Sequence, residues 1–207
     1  MPLPTPRLDA HTHRYQPGIP SILNAVVPED WSGLIQLSLK TPLEPGGVAL
    51  GLHPWYASRW KPHFKDELRN AILQIPPSRR AGIGEVGLDF LKGAPDHPLP
   101  SLEEQMRALS EQWDLAEELH LPLFLHLRKA WDPFFQFVAQ RGGKHCIPHG
   151  SPVHGFTGSA EIARQLLSMG IALSFSRQRL LQNQRLKTLF DTIPEERRFT
   201  ETDQSRD

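Results

Sequence analysis

The chain has 207 residues, enough for one domain with a sizeable core but fewer than the roughly 250 typical of a (β/α) barrel. Its 23 Lys and Arg residues balance 23 Asp and Glu residues, so it lacks the basic excess expected of a protein that coats duplex nucleic acid. This balance neither supports nor excludes a nucleic acid that is held locally at one site.

Short apolar runs along the chain predict buried strands, and one of them is ambiguous. Residues 22–27 and residues 34–39 both qualify as the second strand, and we prefer the former. The other predicted strands, in chain order, are residues 7–13, 47–53, 82–89, 121–126, 152–156, 171–175 and 198–203.

Helical patterns lie between several of these runs. Leu102–Leu119 carries apolar residues at three- and four-residue steps, and Ser101 precedes it as an N-cap with Glu104 at the capping-box spacing. Trp131–Gln140 and residues 159–169 are two further predicted helices. Strands that alternate with helices predict an α/β fold with a parallel sheet.

Polar residues occur at the carboxyl ends of the predicted strands. In a barrel of parallel strands these ends meet at one rim, which is where catalytic residues collect. We therefore expect a site built from histidines and carboxylates at this rim. Its candidate residues are His11, His13, His53, Glu85, His126, His154 and Asp203.

Most of these positions also have an ordinary explanation. His11 and His13 are two apart, so in a strand they point to one face and can share a metal ion, but they could instead lie in a terminal loop. Glu85 ends an apolar strand, where a divalent ion would offset the cost of burying a carboxylate, but it could be a surface glutamate. His126 lies in an apolar run and could be a core histidine.

Three more positions carry alternatives of their own. Arg128 can offer its planar guanidinium group to a phosphate or form a salt bridge with a helix carboxylate. His154 stands between a strand and a capped helix and is the candidate ligand there, although spacing does not exclude His149 nearby. Asp203 can bind a metal and accept a proton from water, or it can belong to a charged tail.

Taken together, these stretches resemble the TatD family of metal-dependent deoxyribonucleases. The resemblance implies a TIM-type (β/α) barrel of the metallo-dependent hydrolase class. The matching stretches occur in the family's order from residue 9 to residue 203, and they are DAHTH, GLHPW, GEVGLDF, PLFLHLRKA, HGFTGS, GIALSFS and ETD.

The resemblance also implies roles for the candidate residues. His11 and His13 would bind one metal ion, His126 and His154 would bind a second, and Glu85 would bridge the two. Asp203 would bind the first ion and act as general base, while His53 and Arg128 would contact substrate phosphate. The implied cofactors are two divalent ions (zinc, manganese or magnesium), and the implied activity is exonuclease-like cleavage of phosphodiester bonds in DNA.

The chain departs from the family pattern in three places. Residues 14–31 are rich in proline and glycine where relatives have a helix, and Trp55 stands where many relatives have a second histidine. The sequence also ends four residues after Asp203, where relatives continue into helices that cover the last and first strands. We therefore expect one domain, residues 1–207, without the usual C-terminal helices. Its uncovered barrel edge would be a surface for forming a homo-oligomer.

Two other functions stay open at this point. One is an amidohydrolase or esterase acting on a small molecule, which a bridging lysine would favour and Glu85 disfavours. The other is a catalytically weak, truncated metal-binding homologue. Cys146 is the single cysteine, and the sequence contains neither a signal peptide nor an apolar run of about 18 residues. We therefore expect a cytoplasmic protein that does not cross a membrane.

Overall fold

Eight parallel strands follow one another around a barrel in the computed structural model, which describes residues 8–40, 46–91 and 98–204. Their order in the sheet is their order along the chain, as in a TIM-type barrel. The predicted fold class is therefore confirmed. The strands are β1 (Asp9–Thr12), β2 (Ser21–Asn24), β3 (Gly47–Leu50), β4 (Arg80–Asp89), β5 (Leu123–Arg128), β6 (Pro152–Val153), β7 (Ala172–Ser176) and β8 (Arg198–Glu201).

Seven α-helices accompany the strands in the described part of the chain. Two of the predicted helices have the predicted bounds, and the third is one residue shorter at each end. The helices are α1 (Trp31–Lys40), α2 (Phe64–Leu73), α3 (Leu102–Leu119), α4 (Trp131–Gln140), α5 (Ala160–Ser168), α6 (Arg177–Gln182) and α7 (Gln184–Thr192).

Each predicted strand corresponds to an observed strand, although the bounds differ. The preferred second strand is confirmed as β2, because residues 34–39 lie within α1. The buried side chains of α1 are Trp31, Ile35 and Ser38, which are spaced as one face of a helix. Arg7, which the first predicted strand included, lies outside the described residues. As expected, no helix connects β1 to β2, both of which lie in the described residues.

The core lies between the sheet and the helices. Its strand residues are fully buried, as the continuous apolar runs of a parallel sheet predict. Trp113 of α3 and Phe134 of α4 are also fully buried. The predicted capping box is present at the start of α3, where Ser101 Oγ accepts from Glu104 N–H at 3.2 Å and Glu104 Oε2 accepts from Ser101 N–H at 2.7 Å.

The seam between β8 and β1 closes at the carboxyl rim. Asp203 N–H donates to the carbonyl of His11 at 3.0 Å, and His13 N–H donates to the carbonyl of Gln204 at 3.1 Å. Thr202 N–H donates to Asp9 Oδ1 at 3.0 Å. These bonds place Asp203 beside the histidines of β1. None of the helices in the described ranges has the length and apolar character needed to cross a bilayer.

Candidate metal centre

Six strands bring histidine and carboxylate side chains to the carboxyl rim of the barrel. Three overlapping groups of these side chains have ligand atoms close enough to hold a metal ion. They are His11, His13 and Glu85; His11, His154 and Asp203; and His53, Glu85 and His126. Every residue that the sequence resemblance proposed as a metal ligand is therefore part of one cluster.

Glu85 is the centre of this cluster. It is the extra residue of a bulge, because Gly84 pairs with Phe124 and Val86 already pairs with Leu125. Bulges redirect a side chain out of the regular alternation of a strand. Although Glu85 is only 2% exposed, five histidine nitrogens lie within 3.6 Å of its carboxylate.

The two carboxylate oxygens of Glu85 face different histidines. Oε1 lies 2.7 Å from His154 Nε2, 3.2 Å from His126 Nδ1 and 3.6 Å from His53 Nε2. We call these three histidines the Oε1 side.

The other oxygen of Glu85 faces β1. Oε2 lies 3.0 Å from His13 Nε2 and 3.5 Å from His11 Nε2. Asp203 Oδ1 completes this group at 3.7 Å from His13 Nε2 and 3.9 Å from His11 Nε2. We call His11, His13 and Asp203 the Oε2 side.

Acceptors outside the cluster orient several of its histidine rings. His126 Nε2 lies 3.0 Å from Asp89 Oδ2, and His13 Nδ1 lies 2.8 Å from the carbonyl of Asn24. Glu201 Oε1 lies 3.6 Å from His154 Nδ1, too far for a hydrogen bond, and this nitrogen has no hydrogen-bond partner among the described residues. For His126 and His13, the acceptor behind the ring fixes the tautomer, so that the opposite nitrogen presents a lone pair to the cluster.

Trp55 supports the Oε1 side through two contacts. Its indole Nε1–H donates to Asp89 Oδ2 at 2.8 Å, and its backbone N–H donates to His53 Nδ1 at 3.1 Å. Since His53 Nδ1 accepts a hydrogen bond, the hydrogen of the neutral ring must be on Nε2, which faces Glu85 and His126. His53 therefore presents a donor to the cluster through Nε2.

Close backbone packing holds β4 against β5 beside His126. Gly87 has a φ of +151°, and a Cβ atom there would lie 2.0 Å from the carbonyl oxygen of His126. Any side chain would therefore push the two strands apart at the point where β5 presents its histidine.

Burial and charge act against each other throughout the cluster. Burial alone would raise the pKa of Glu85, but the surrounding histidines, His154 foremost, outweigh it and hold this pKa well below its ordinary value. Burial would lower the pKa of His154, but Glu85 and Glu201 raise it well above the ordinary value. Burial and the neighbouring His126 lower the pKa of His53 well below its ordinary value, so its ring stays neutral.

The donor set fits a divalent metal. Both ring nitrogens of His11 are buried without a hydrogen-bond partner, and His126 Nδ1 and His154 Nε2 lie only 2.9 Å apart. Such a pair of ring nitrogens can share only one proton, whereas a cation would satisfy both lone pairs. Imidazole and carboxylate ligands suit zinc or manganese better than calcium.

Arg128 and His149 resolve two alternatives left open by the sequence. Arg128 is half-buried, and its guanidinium group forms no ion pair with any residue that the structure describes, so the expected alternative of a helix carboxylate is not observed. It lines a cavity of about 250 Å³ together with His126, His154 and Asp203. His149 is exposed and belongs to none of the ligand groups, whereas His154 belongs to one.

Sequence reasoning missed the supporting residues Asp89, Glu201 and Trp55. Asp89 lies four residues after Glu85 in β4, and Glu201 lies two residues before Asp203. Neither spacing indicates a shared strand face, because Glu85 is a bulge residue and Asp203 lies beyond the end of β8. Nothing in the spacing of Trp55 indicates its indole bond to Asp89.

Comparison with known proteins agrees with this geometry. The family model described as TatD related DNase matches residues 9–205. The chain belongs to this family. The resemblance inferred from the sequence motifs is thereby confirmed.

Two curated TatD-family relatives illustrate the match. The chain is 33% identical over 161 residues to a protein of Pantoea sp. (strain At-9b) named 3'-5' ssDNA/RNA exonuclease TatD, covering 74% of this chain and 55% of that protein. It is 32% identical over 134 residues to the uncharacterized metal-dependent hydrolase YjjV of Escherichia coli K12, covering 65% of this chain and 48% of YjjV. The match thus spans about half the length of these relatives.

Solved structures of the family share the fold. The crystal structure of the TatD homologue YjjV from Escherichia coli K12 matches with a TM-score of 0.78 and 25% identity, over 95% of this chain and 78% of that one. A TatD family hydrolase from Entamoeba histolytica matches with a TM-score of 0.77 and 22% identity, over 96% and 74% of the two chains.

Proposed function

We propose that this TatD-family chain is a metal-dependent phosphodiesterase that degrades single-stranded DNA as an exonuclease. The observation that carries the proposal is the position of Glu85, whose two oxygens face separate groups of histidines. The name of the Pantoea relative, a 3'-5' exonuclease for single-stranded DNA and RNA, supports nucleic acid as the substrate. The proposal takes residues 1–207 as one catalytic domain, since a single eight-stranded sheet joins the described residues.

We assign the two proposed ions to the two sides of Glu85. His11, His13 and Asp203 would hold the first, His126 and His154 would hold the second, and Glu85 would bridge them. Zinc, manganese and magnesium are the candidate metals, of which zinc and manganese suit the histidine-rich donor set. When bound, such ions lower the pKa of water and neutralise charge on phosphoryl oxygens.

Asp203 is the proposed general base. Its side chain is 46% exposed, whereas the histidines beside it are nearly or fully buried. It also lines the cavity of about 250 Å³ that adjoins the cluster. A carboxylate at the boundary between cluster and cavity can accept the proton of an attacking water and release it to solvent.

His53 and Arg128 are the proposed contacts to substrate phosphate. His53 directs an Nε2–H into the cluster because the backbone of Trp55 occupies its Nδ1. Arg128 lies on the cavity wall next to His126 and His154. A half-buried guanidinium group with no ion-pair partner among the described residues is stabilised by an anionic ligand, and its planar donors match a phosphate group.

The test is a hydrolysis assay after chelation and metal replacement. We expect the loaded protein to cleave single-stranded DNA and bis-p-nitrophenyl phosphate, to lose this activity on chelation and to regain it with manganese or zinc. Hydrolysis of carboxylic esters without phosphodiester cleavage would contradict the proposal and favour an esterase. Metal binding with no hydrolysis of either class would favour an inactive homologue.

The cellular compartment is a lesser part of the proposal. We infer a reducing, cytoplasmic setting because Cys146 is the only cysteine of the chain.

A further inference from the structure

Two neighbouring cavities open beside the metal centre. The first, of about 250 Å³, contains the ligands His126 and His154 in its wall. The second, of about 240 Å³, is lined by residues that follow β4 and β5 and by the loop before α5. Leu127, Arg128 and Thr157 line both cavities, so the second cavity adjoins the first on the side away from the ligands.

The wall of the second cavity carries positive charge. Arg128 stands between the two cavities, and Lys129 lines only the second. Lys129 is exposed and makes no ion pair with any residue in the described ranges. Its backbone has a φ of +55°, a conformation that costs a non-glycine residue about 1 kcal/mol or more. Lys129 directly follows β5, the strand that carries the candidate ligand His126.

The same cavity also has an apolar, aromatic wall. Trp131 is half-buried, and its ring packs at 5.7 Å from the ring of Phe156, which is fully buried. The core thus fixes the orientation of the indole while leaving part of it accessible. Leu91 contributes a side chain that is 51% exposed, unusual for a large apolar residue.

We propose that this second cavity, which we name the base pocket, binds the nucleotide next to the scissile phosphodiester bond. This inference rests on the proposed nuclease function and deepens it. The nucleobase lies against Trp131 and Leu91, and the phosphate of that nucleotide faces Lys129. Arg128 lies between the scissile phosphate and the phosphate of the neighbouring nucleotide.

The combination of an aromatic wall and a positively charged wall favours single-stranded nucleic acid over a small phosphodiester as the ligand. Aromatic side chains beside a cationic wall bind single strands because each base has a stacking face and each nucleotide has a charge. A base must be unpaired to enter such a cavity. Stacking also tolerates different bases, so we expect little base preference at this position.

A binding measurement tests the pocket without catalysis. We would measure the Kd of a dye-labelled single-stranded tetranucleotide by fluorescence anisotropy in EDTA, for the wild type and for Trp131→Ala, Trp131→Phe and Lys129→Gln. We expect Trp131→Ala to weaken binding about tenfold, Trp131→Phe to retain most of it, and Lys129→Gln to reduce its salt dependence. Equal Kd values for the wild type, Trp131→Ala and Lys129→Gln would overturn the proposal.

A kinetic measurement separates this inference from the proposed function. The readout is the ratio of kcat/KM for the tetranucleotide to kcat/KM for bis-p-nitrophenyl phosphate. We expect Trp131→Ala and Lys129→Gln each to lower this ratio about tenfold. Lys144→Ala is the matched control, because this exposed lysine lies between α4 and β6, at the opposite end of the barrel.

The outcomes distinguish the two claims. A wild type that binds the tetranucleotide through Trp131 but hydrolyses no phosphodiester would refute the nuclease function and keep the base pocket. A wild type that cleaves both substrates, with an unchanged ratio in both variants, would refute the base pocket and keep the nuclease function. Thermal melting of Trp131→Ala, Trp131→Phe and Lys129→Gln verifies that the comparison is made on folded protein.

Discussion

The two sides of Glu85 differ in how firmly their side chains are held. On the Oε1 side, His53, His126 and His154 are each buried, and hydrogen bonds with Trp55 and Asp89 hold the rings of His53 and His126. On the Oε2 side, the carbonyl of Asn24 holds His13, but both ring nitrogens of His11 lack a hydrogen-bond partner among the described residues, and the carboxylate of Asp203 is 46% exposed. Asp203 also has a φ of +49°, outside the regular geometry of β8.

Because of this difference, we expect the two proposed ions to have different roles. The Oε1 side is preorganised, because Trp55 and Asp89 fix two of its three rings before any ion binds. The Oε2 side leaves one carboxylate accessible to water, as a general base requires. Substitutions on the Oε1 side should therefore change metal affinity most, and substitution of Asp203 should change turnover most.

The largest effect is expected at the residue that the two sides share. Glu85→Ala removes the oxygens that face both groups of histidines, so we expect loss of both ions and a fall in activity of about a thousandfold or more. Metal content per chain and phosphodiesterase turnover measure this. Glu103→Ala, at an exposed glutamate of α3, is the control. A Glu85→Ala protein that retains both ions would show that the bridging assignment is wrong.

The second-largest effect is expected at Asp203, the exposed residue of the Oε2 side. Asp203→Asn keeps an oxygen ligand but removes the basic carboxylate, so we expect metal content to persist while kcat falls about 10²- to 10⁴-fold. Rapid-quench turnover with metal analysis of the same sample measures both quantities. Asp191→Asn, at an exposed residue of α7, is the control. Unchanged turnover would mean that another group takes up the proton.

A third change tests the preorganised side. Asp89 Oδ2 accepts from both His126 and Trp55, and Oδ1 accepts from the backbone of Leu91. Asp89→Asn leaves only one acceptor oxygen for these donors, so we expect the affinity for one ion to fall about 10- to 100-fold while the other is retained. Competition with a chelator resolves the two affinities. Equal weakening of both ions would argue against two separately supported sides.

The smallest expected effect concerns Trp55. Trp55→Phe keeps an aromatic ring but removes one hydrogen bond to Asp89, which is worth about a fivefold change in affinity for the same ion. Trp55→His restores a ring N–H and should recover part of the loss. Titration of metal into the chelated variants measures this. If the Trp55→Phe protein bound the ion with wild-type affinity, the indole hydrogen bond to Asp89 would not contribute to metal binding.

Much of this arrangement was predictable from sequence, and the limits have physical reasons. Strands were recognisable because parallel strands buried on both faces give apolar runs, and the polar residues within those runs marked Glu85 and His126. The α1 segment was ambiguous because residues 34–39 are mostly apolar, as in a short buried strand, while its buried face at Trp31, Ile35 and Ser38 includes a polar residue. α2, α6 and α7 were not predicted from the sequence.

The residues that hold the ligands in place were less predictable than the candidate ligands themselves. The ligands recur as motif residues in or directly after strands, whereas the bond between Trp55 and Asp89 joins a turn to a strand 34 residues away. Such a contact depends on the packing of β3 against β4, which no local pattern specifies. The base pocket likewise combines Leu91 with Trp131, which are distant in sequence.

The most direct test of the account is an anomalous-difference map from crystals of the protein loaded with zinc or manganese. The account predicts two peaks, one at ligand distance from Glu85 Oε1 near His126 and His154, and one at ligand distance from Oε2 near His11 and His13 (about 2.0–2.3 Å). A map with no peak in contact with Glu85, from crystals that contain the metal, would contradict it.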